Sequence, residues 1–165
     1  MKNMKTNLLT SVFCLLLATA SAQSWLTKGL VAYYPFNGNA NDESGNGNHG
    51  VANNMSFALD RFGNVGRSGL FAGNSTSNVK INGGNLNLQP DFTLSVWINY
   101  MAGGTEGPRI FSTAGYEIGT DSTSSMLRHV YFNNTYSNFD NSTIYSSNEF
   151  PASNWTHIVA VRAFP

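Results

Sequence analysis

Phe92–Tyr100, FTLSVWINY, is the stretch from which the fold is read. Phe92, Leu94, Val96, Ile98 and Tyr100 recur at every second position, and Thr93, Ser95 and Asn99 fall between them together with Trp97. A period of two is that of a β-strand with one face in a core and the other turned outward. The pattern predicts a strand at the centre of a sheet with its aliphatic row inward. Trp155–Val161 repeats it, with Trp155, His157, Val159 and Val161 on one side and Thr156, Ile158 and Ala160 on the other. Both sides carry bulk here, which predicts a strand covered on both faces. Trp97 and Trp155 are read as core because both sit within strong strand patterns.

Gln89-Pro90-Asp91 and Phe150-Pro151-Ala152-Ser153-Asn154 read as the turns that start these two strands. Further short strands are predicted at Gly29–Phe36, Gly69–Phe71, Val79–Ile81, Arg109–Phe111, Tyr116–Ile118, Leu127–Phe132 and Thr143–Tyr145. No segment shows a sustained helical stripe. Short strands separated by turn clusters predict an all-β, antiparallel sandwich or barrel.

Gly29–Gly50, GLVAYYPFNGNANDESGNGNHG, joins one of these strands to a loop of small, polar and turn-forming residues. A loop dense in Asn and Gly can take left-handed backbone geometry at several places and bring carbonyls and a carboxylate to one point.

The N-terminus reads as an address. Lys2 and Lys5 precede the apolar run Leu8–Ala20, and Ala20-Ser21-Ala22 supplies the small residues of a cleavage site before Gln23. This predicts a secretory signal peptide over residues 1–22, whose apolar run is too short to span a bilayer, and a mature domain over 23–165. The single cysteine, Cys14, lies in the predicted signal, so the mature chain carries no disulfide. Removing Lys2 and Lys5 leaves seven basic against nine acidic residues, a net charge of −2. So few charges and no basic cluster exclude nucleic acid and anionic membrane surfaces as expected partners. A surface of Asn, Ser, Thr and Gly suits neutral partners such as sugars.

The runs LVAYYPFNGNANDESGNGNHG, SGLFAGNSTSNVKI, FTLSVWIN and NWTHIVAVR, in this order, resemble the bacterial laminin-G-like, concanavalin A-like domain. The matching positions are Tyr34 and Phe36, Asp42 to Gly50, Gly69 to Gly73, Phe92 to Trp97 and Trp155 to Val159. The resemblance implies an antiparallel two-sheet jelly-roll sandwich and a structural calcium near the Asp42 loop. Relatives of this type continue past the Trp-x-His strand, whereas this chain stops at Pro165, so the resemblance implies that the last strands are missing.

Asp42, Asn39, Ser44 and Asn46 are the candidate calcium ligands, because they supply the hard oxygens that calcium takes. The same residues also read as a turn series in which Asp42 caps backbone amides. Tyr116, Tyr131, Tyr136 and Asn134 are the candidate carbohydrate-binding residues, since sugars are held by aromatic faces and by amide groups. That aromatic-rich stretch also reads as a meander that buries alternate aromatics. The strand signature of a glycoside hydrolase of this fold, Glu-x-Asp-x-x-Glu or its shorter form, does not occur, and Glu117 and Asp121 read as separated by a Gly-Thr turn. The expected function is therefore non-catalytic recognition of an extracellular glycan, or of a matrix or protein partner. The rivals are an adhesion or spacer module without a small ligand and a remnant of a glycoside hydrolase.

Overall fold

A computed structural model describes residues 27–81, 86, 88, 91–101, 108–113, 115–121, 127–134 and 143–163. Among the described residues there are twelve strands and no helix. The first four are β1 (Gly50–Asn53), β2 (Met55–Ala58), β3 (Ser68–Phe71) and β4 (Asn78–Ile81). The middle of the chain forms β5 (Phe92–Asn99), β6 (Arg109–Ser112), β7 (Tyr116–Thr120), β8 (Leu127–Arg128) and β9 (Val130–Asn134). The last three are β10 (Thr143–Tyr145), β11 (Phe150–Pro151) and β12 (Trp155–Arg162).

All pairings are antiparallel. The longest ladder joins β5 to β12 in unbroken register from Phe92↔Arg162 to Asn99↔Trp155. A four-stranded sheet runs in the order β10-β9-β7-β6, and β1–β4, β2–β3 and β8–β11 form pairs. The predicted alternation of β5 holds: Phe92, Leu94, Val96 and Ile98 are withdrawn from solvent while Thr93, Ser95, Trp97 and Asn99 are exposed. The inner faces of the β5–β12 pair and of the four-stranded sheet meet through aromatic rings. Phe92 lies 5.1 Å from Tyr116 and 6.3 Å from Phe132 between ring centroids, and the Arg162 guanidinium sits 5.1 Å from the Tyr116 ring. Around this seam Tyr116, Ile118 and Ile158 are buried.

Six expectations are corrected. β5 is not at the centre of a sheet, because β12 is its one strand partner among the described residues. Gly119-Thr120 is not a turn but the end of β7. Gly29–Phe36 forms no strand, because loop side chains rather than a neighbouring strand satisfy its backbone. Trp97 is not core: it is 42% exposed, because alternation puts it on the outward face of β5. There it stacks on His157, its cross-strand partner, at 4.8 Å between centroids, while the Arg61 guanidinium lies 4.8 Å from its ring. The outer face of β12 is open among the described residues, with Val161 69% exposed. Leu127–Phe132 divides at His129 into β8 and β9. The four-residue strands β1 and β2 were not anticipated; they meet at Asn54, whose φ of 44° makes a sharp turn. The predicted signal residues, Gln89-Pro90 and Tyr136 lie outside the described residues.

Tyr116, Ile118 and Thr120 share the inward face of β7. Thr120 is 1% exposed, and among the described residues its hydroxyl oxygen finds no hydrogen-bond partner. An unsatisfied buried hydroxyl costs on the order of 1 kcal/mol or more, whereas an apolar group of the same shape does not. Thr120→Val is therefore expected to raise unfolding stability by about 1 kcal/mol, read from the midpoint of urea denaturation at unchanged slope.

Candidate binding face

The alternation that buries Tyr116, Ile118 and Thr120 turns Glu117 and Gly119 to the other side of the four-stranded sheet. Register then decides what meets them. Glu117 lies opposite Asn133, and Gly119 lies between Tyr131 on β9 and Arg109 on β6. Tyr131 in turn faces Tyr145 on β10, and Asn133 faces Thr143. Four strands thus bring Arg109, Glu117, Tyr131, Asn133 and Tyr145 onto one face.

Gly119 is the floor of this group. A Cβ there would come within 2.6 Å of the Tyr131 hydroxyl oxygen and 2.7 Å of its ring, so Tyr131 can lie across the sheet only because residue 119 has no side chain. From that position the Tyr131 hydroxyl donates to Glu117 Oε1 at 2.5 Å. Arg109 Nε donates to Glu117 Oε2 at 2.7 Å. A register shift between Arg109 and Phe111 re-aims the β6 side chains at this point. Burial, and next the hydrogen bond to Glu117 and its charge, push the Tyr131 hydroxyl up to about 12, although Arg109 pulls the other way. The hydroxyl therefore remains a donor at neutral pH. The Arg109 side chain is 69% exposed against 22% for Glu117, and the Tyr145 ring stands 6.3 Å from Tyr131, 59% exposed. Beneath them the Asn133 side-chain oxygen is buried without a hydrogen-bond partner.

Of the four carbohydrate candidates, Tyr131 belongs to this face. Tyr116 does not: it is buried on the opposite side of β7, packed against Phe92 and Phe132. Asn134 ends β9, with its side chain outside the description, and Tyr136 lies outside the described residues. Tyr145, one of the aromatics in that same stretch, also lies on this face, whereas Arg109, Glu117 and Gly119 carry no sign of it in the sequence alone. The signal that finds them is the period of two, counted from Ile118 and carried across the register.

The Asn/Gly loop forms a second polar centre. Asp42 is 4% exposed, and its carboxylate accepts three backbone amides. Oδ1 takes Tyr33 N at 2.9 Å and Ser44 N at 2.8 Å, and Oδ2 takes Asn48 N at 2.9 Å. Asn46 Nδ2 donates to Leu30 O at 2.7 Å, and Asn48 Nδ2 donates to Val31 O at 2.9 Å. Loop side chains thus take the place of a partner strand for residues 30–33. Gly45 and Gly47, at φ 91° and 76°, let the loop turn back on itself. At the loop's end a Cβ on Gly50 would lie 2.4 Å from Val79 Cγ1, so β1 can meet β4 closely only through glycine. Tyr34 donates its hydroxyl to Asn48 O at 2.5 Å, and burial, then the charge of Asp42, pushes it up to about 12.

Asn39, Ser44 and Asn46 surround Asp42 in the chain, and the side-chain oxygens of Asp42, Asn39 and Ser44 take part in hydrogen bonds within the loop. The carboxylate is engaged by amides, Asn39 Oδ1 accepts Asn41 N at 2.8 Å, and Ser44 Oγ accepts Asn46 N at 3.2 Å. Calcium takes about six to eight oxygens, and the Asp42 carboxylate oxygens and the Asn39 amide oxygen here each accept backbone amides. Among the described residues no group of three or more His, Cys, Asp or Glu side chains gathers at metal-binding distance.

Burial acts to raise the Asp42 carboxyl, but the hydrogen bonds from Ser44, Tyr33 and Asn48 outweigh it and hold the group at about 2, below the ordinary 3.8. A depressed carboxyl contributes stability that is complete above its unfolded value and is lost as pH falls through the folded one. Asp42→Ala is expected to cost about 3 kcal/mol at pH 7, a fall in the thermal midpoint of roughly 6–12 °C. The gap between wild type and Asp42→Asn should be full above pH 4 and should close as pH falls toward 2, followed by circular dichroism.

Among the described residues no helix is long and apolar enough to cross a membrane. No curated protein and no solved structure matches the chain. Residues 72–163, more than half of the sequence, match the Laminin_G_3 family, described as the concanavalin A-like lectin/glucanases superfamily. The match takes in β4 through β12, hence the whole of the candidate face, and begins after the Asp42 loop. With its antiparallel, two-layered all-β architecture, this chain belongs to the concanavalin A-like lectin/glucanase superfamily.

Proposed function

We propose that the chain is a secreted recognition domain for extracellular carbohydrate that binds through the outward face of the four-stranded sheet. Membership of the superfamily supports a carbohydrate- or protein-binding module in general. The observation that carries the finer reading is the exposed Tyr145 ring beside a Tyr131 hydroxyl, a carboxylate and a guanidinium held together over Gly119. A ring that offers its apolar face next to clustered donors and acceptors is the chemistry by which a sugar is gripped.

The face is read as non-catalytic. Glycoside hydrolysis uses two carboxyl groups about 5–10 Å apart across the scissile bond. Both oxygens of Glu117 are engaged, by Tyr131 and by Arg109. The next carboxylate along the chain, Asp121, lies four residues further, about 13 Å on an extended backbone, and is paired with His129 at 3.3 Å. Calcium has no part in this reading, since Asp42 shapes its loop through amides.

Two outcomes test the proposal. Tyr145→Ala should weaken binding to whichever glycan an array identifies by about tenfold by calorimetry while leaving the thermal midpoint unchanged. An unaltered affinity would move the site off this face. Thermal unfolding should be the same in calcium and in chelator; a calcium-dependent rise that vanishes in Asp42→Ala would restore a metal to the loop.

A further inference from the structure

Resting on the carbohydrate reading above, we infer that the face selects neutral sugars presenting two adjacent hydroxyls, and that Glu117 is the group that turns acidic sugars away. The inference comes from how the charges are arranged. Arg109 commits its Nε to Glu117 Oε2 at 2.7 Å, so the carboxylate occupies one edge of the guanidinium. The Arg109 side chain is nevertheless 69% exposed, and the rest of its planar fork of donors is open to a ligand. Glu117 accepts the Tyr131 hydroxyl on Oε1 and Arg109 on Oε2, and each carboxylate oxygen retains a further lone pair.

Donors and acceptors therefore stand side by side on one small patch. A sugar hydroxyl both donates and accepts, so two neighbouring hydroxyls can answer a guanidinium edge and a carboxylate edge together. Tyr145, 59% exposed and 6.3 Å from Tyr131, offers the flat apolar surface against which the ring's C–H groups rest.

The pair is charge-balanced, and that sets the class of ligand. A uronic acid would find an arginine whose charge is already met and would bring its carboxylate next to Glu117, a like-charge contact in a partly desolvated place. A neutral sugar incurs no such cost. Glu117 is here a specificity-determining residue, and Tyr131 and Gly119 position it.

The test compares neutral hexose oligosaccharides with the corresponding uronic acid oligomers by calorimetry, using the wild-type protein, Glu117→Gln and Tyr145→Ala. Wild type is expected to bind the neutral series at least ~10-fold more tightly, with little change in affinity when salt rises from about 0.05 to about 0.5 M. Glu117→Gln keeps the shape and removes the charge, so it should shift the neutral-to-acidic ratio at least ~10-fold toward the uronates and make their binding salt-sensitive. A wild-type preference for uronates, or a ratio unmoved in a folded Glu117→Gln, overturns the inference and leaves the binding face standing. Binding of neither series, or affinities that Tyr145→Ala does not weaken, overturns the carbohydrate reading and this inference with it.

Discussion

Strand alternation along β7 is the constraint on which the rest of this molecule turns. Five residues, Tyr116–Thr120, must serve two surfaces at once. Packing Tyr116 and Phe132 against Phe92, with Ile118 buried beside them, supplies the seam between the two layers, and each buried aromatic or aliphatic side chain contributes roughly 1.5–3 kcal/mol. The same step of two obliges Glu117 and Gly119 to face outward. The candidate face is therefore not an addition to a finished scaffold. A slip of one residue in register would bury Glu117 and expose Ile118, so core and candidate face stand or fall together.

The polar centre at Asp42 solves a different problem. Residues 30–33 run beside the sandwich without a strand partner, and unpaired backbone groups withdrawn from water are costly. One buried carboxylate and two asparagine amides satisfy that backbone instead. This explains why the Asn/Gly loop is so biased in composition: its side chains are shaped to replace a ladder.

Much of this was legible in the amino-acid order. The FTLSVWIN alternation places β5, and the β-branched and aromatic clusters that follow locate β6, β7, β10 and β12 to within a residue or two. The errors have physical sources. Gly29–Phe36 has the composition of a strand, but pairing is a property of two segments, and only one of them was in view. Trp97 reads as core from its place in a strong strand pattern, but its own alternation puts it outward, where a cation and an imidazole pack against it in place of a core. Tyr116 and Tyr131 look alike in sequence; one is core and one is surface because they sit in opposite phase relative to Ile118. Arg109 and Glu117 were invisible as a pair, since their meeting depends on the β6–β7 register and its irregularity.

The contact between Tyr131 and residue 119 bears on how this surface can change over evolutionary time. Even an alanine methyl at 119 would displace the Tyr131 ring, release its hydroxyl from Glu117 and leave Arg109 as that carboxylate's remaining partner. Positions 119 and 131 are therefore epistatic. A lineage that acquires a side chain at the first loses the present geometry unless the second shrinks as well, and a small residue at 131 removes the reason for glycine at 119. Divergence at this face should proceed by paired replacements, with single steps at either position passing through a form whose carboxylate is unanchored on one side.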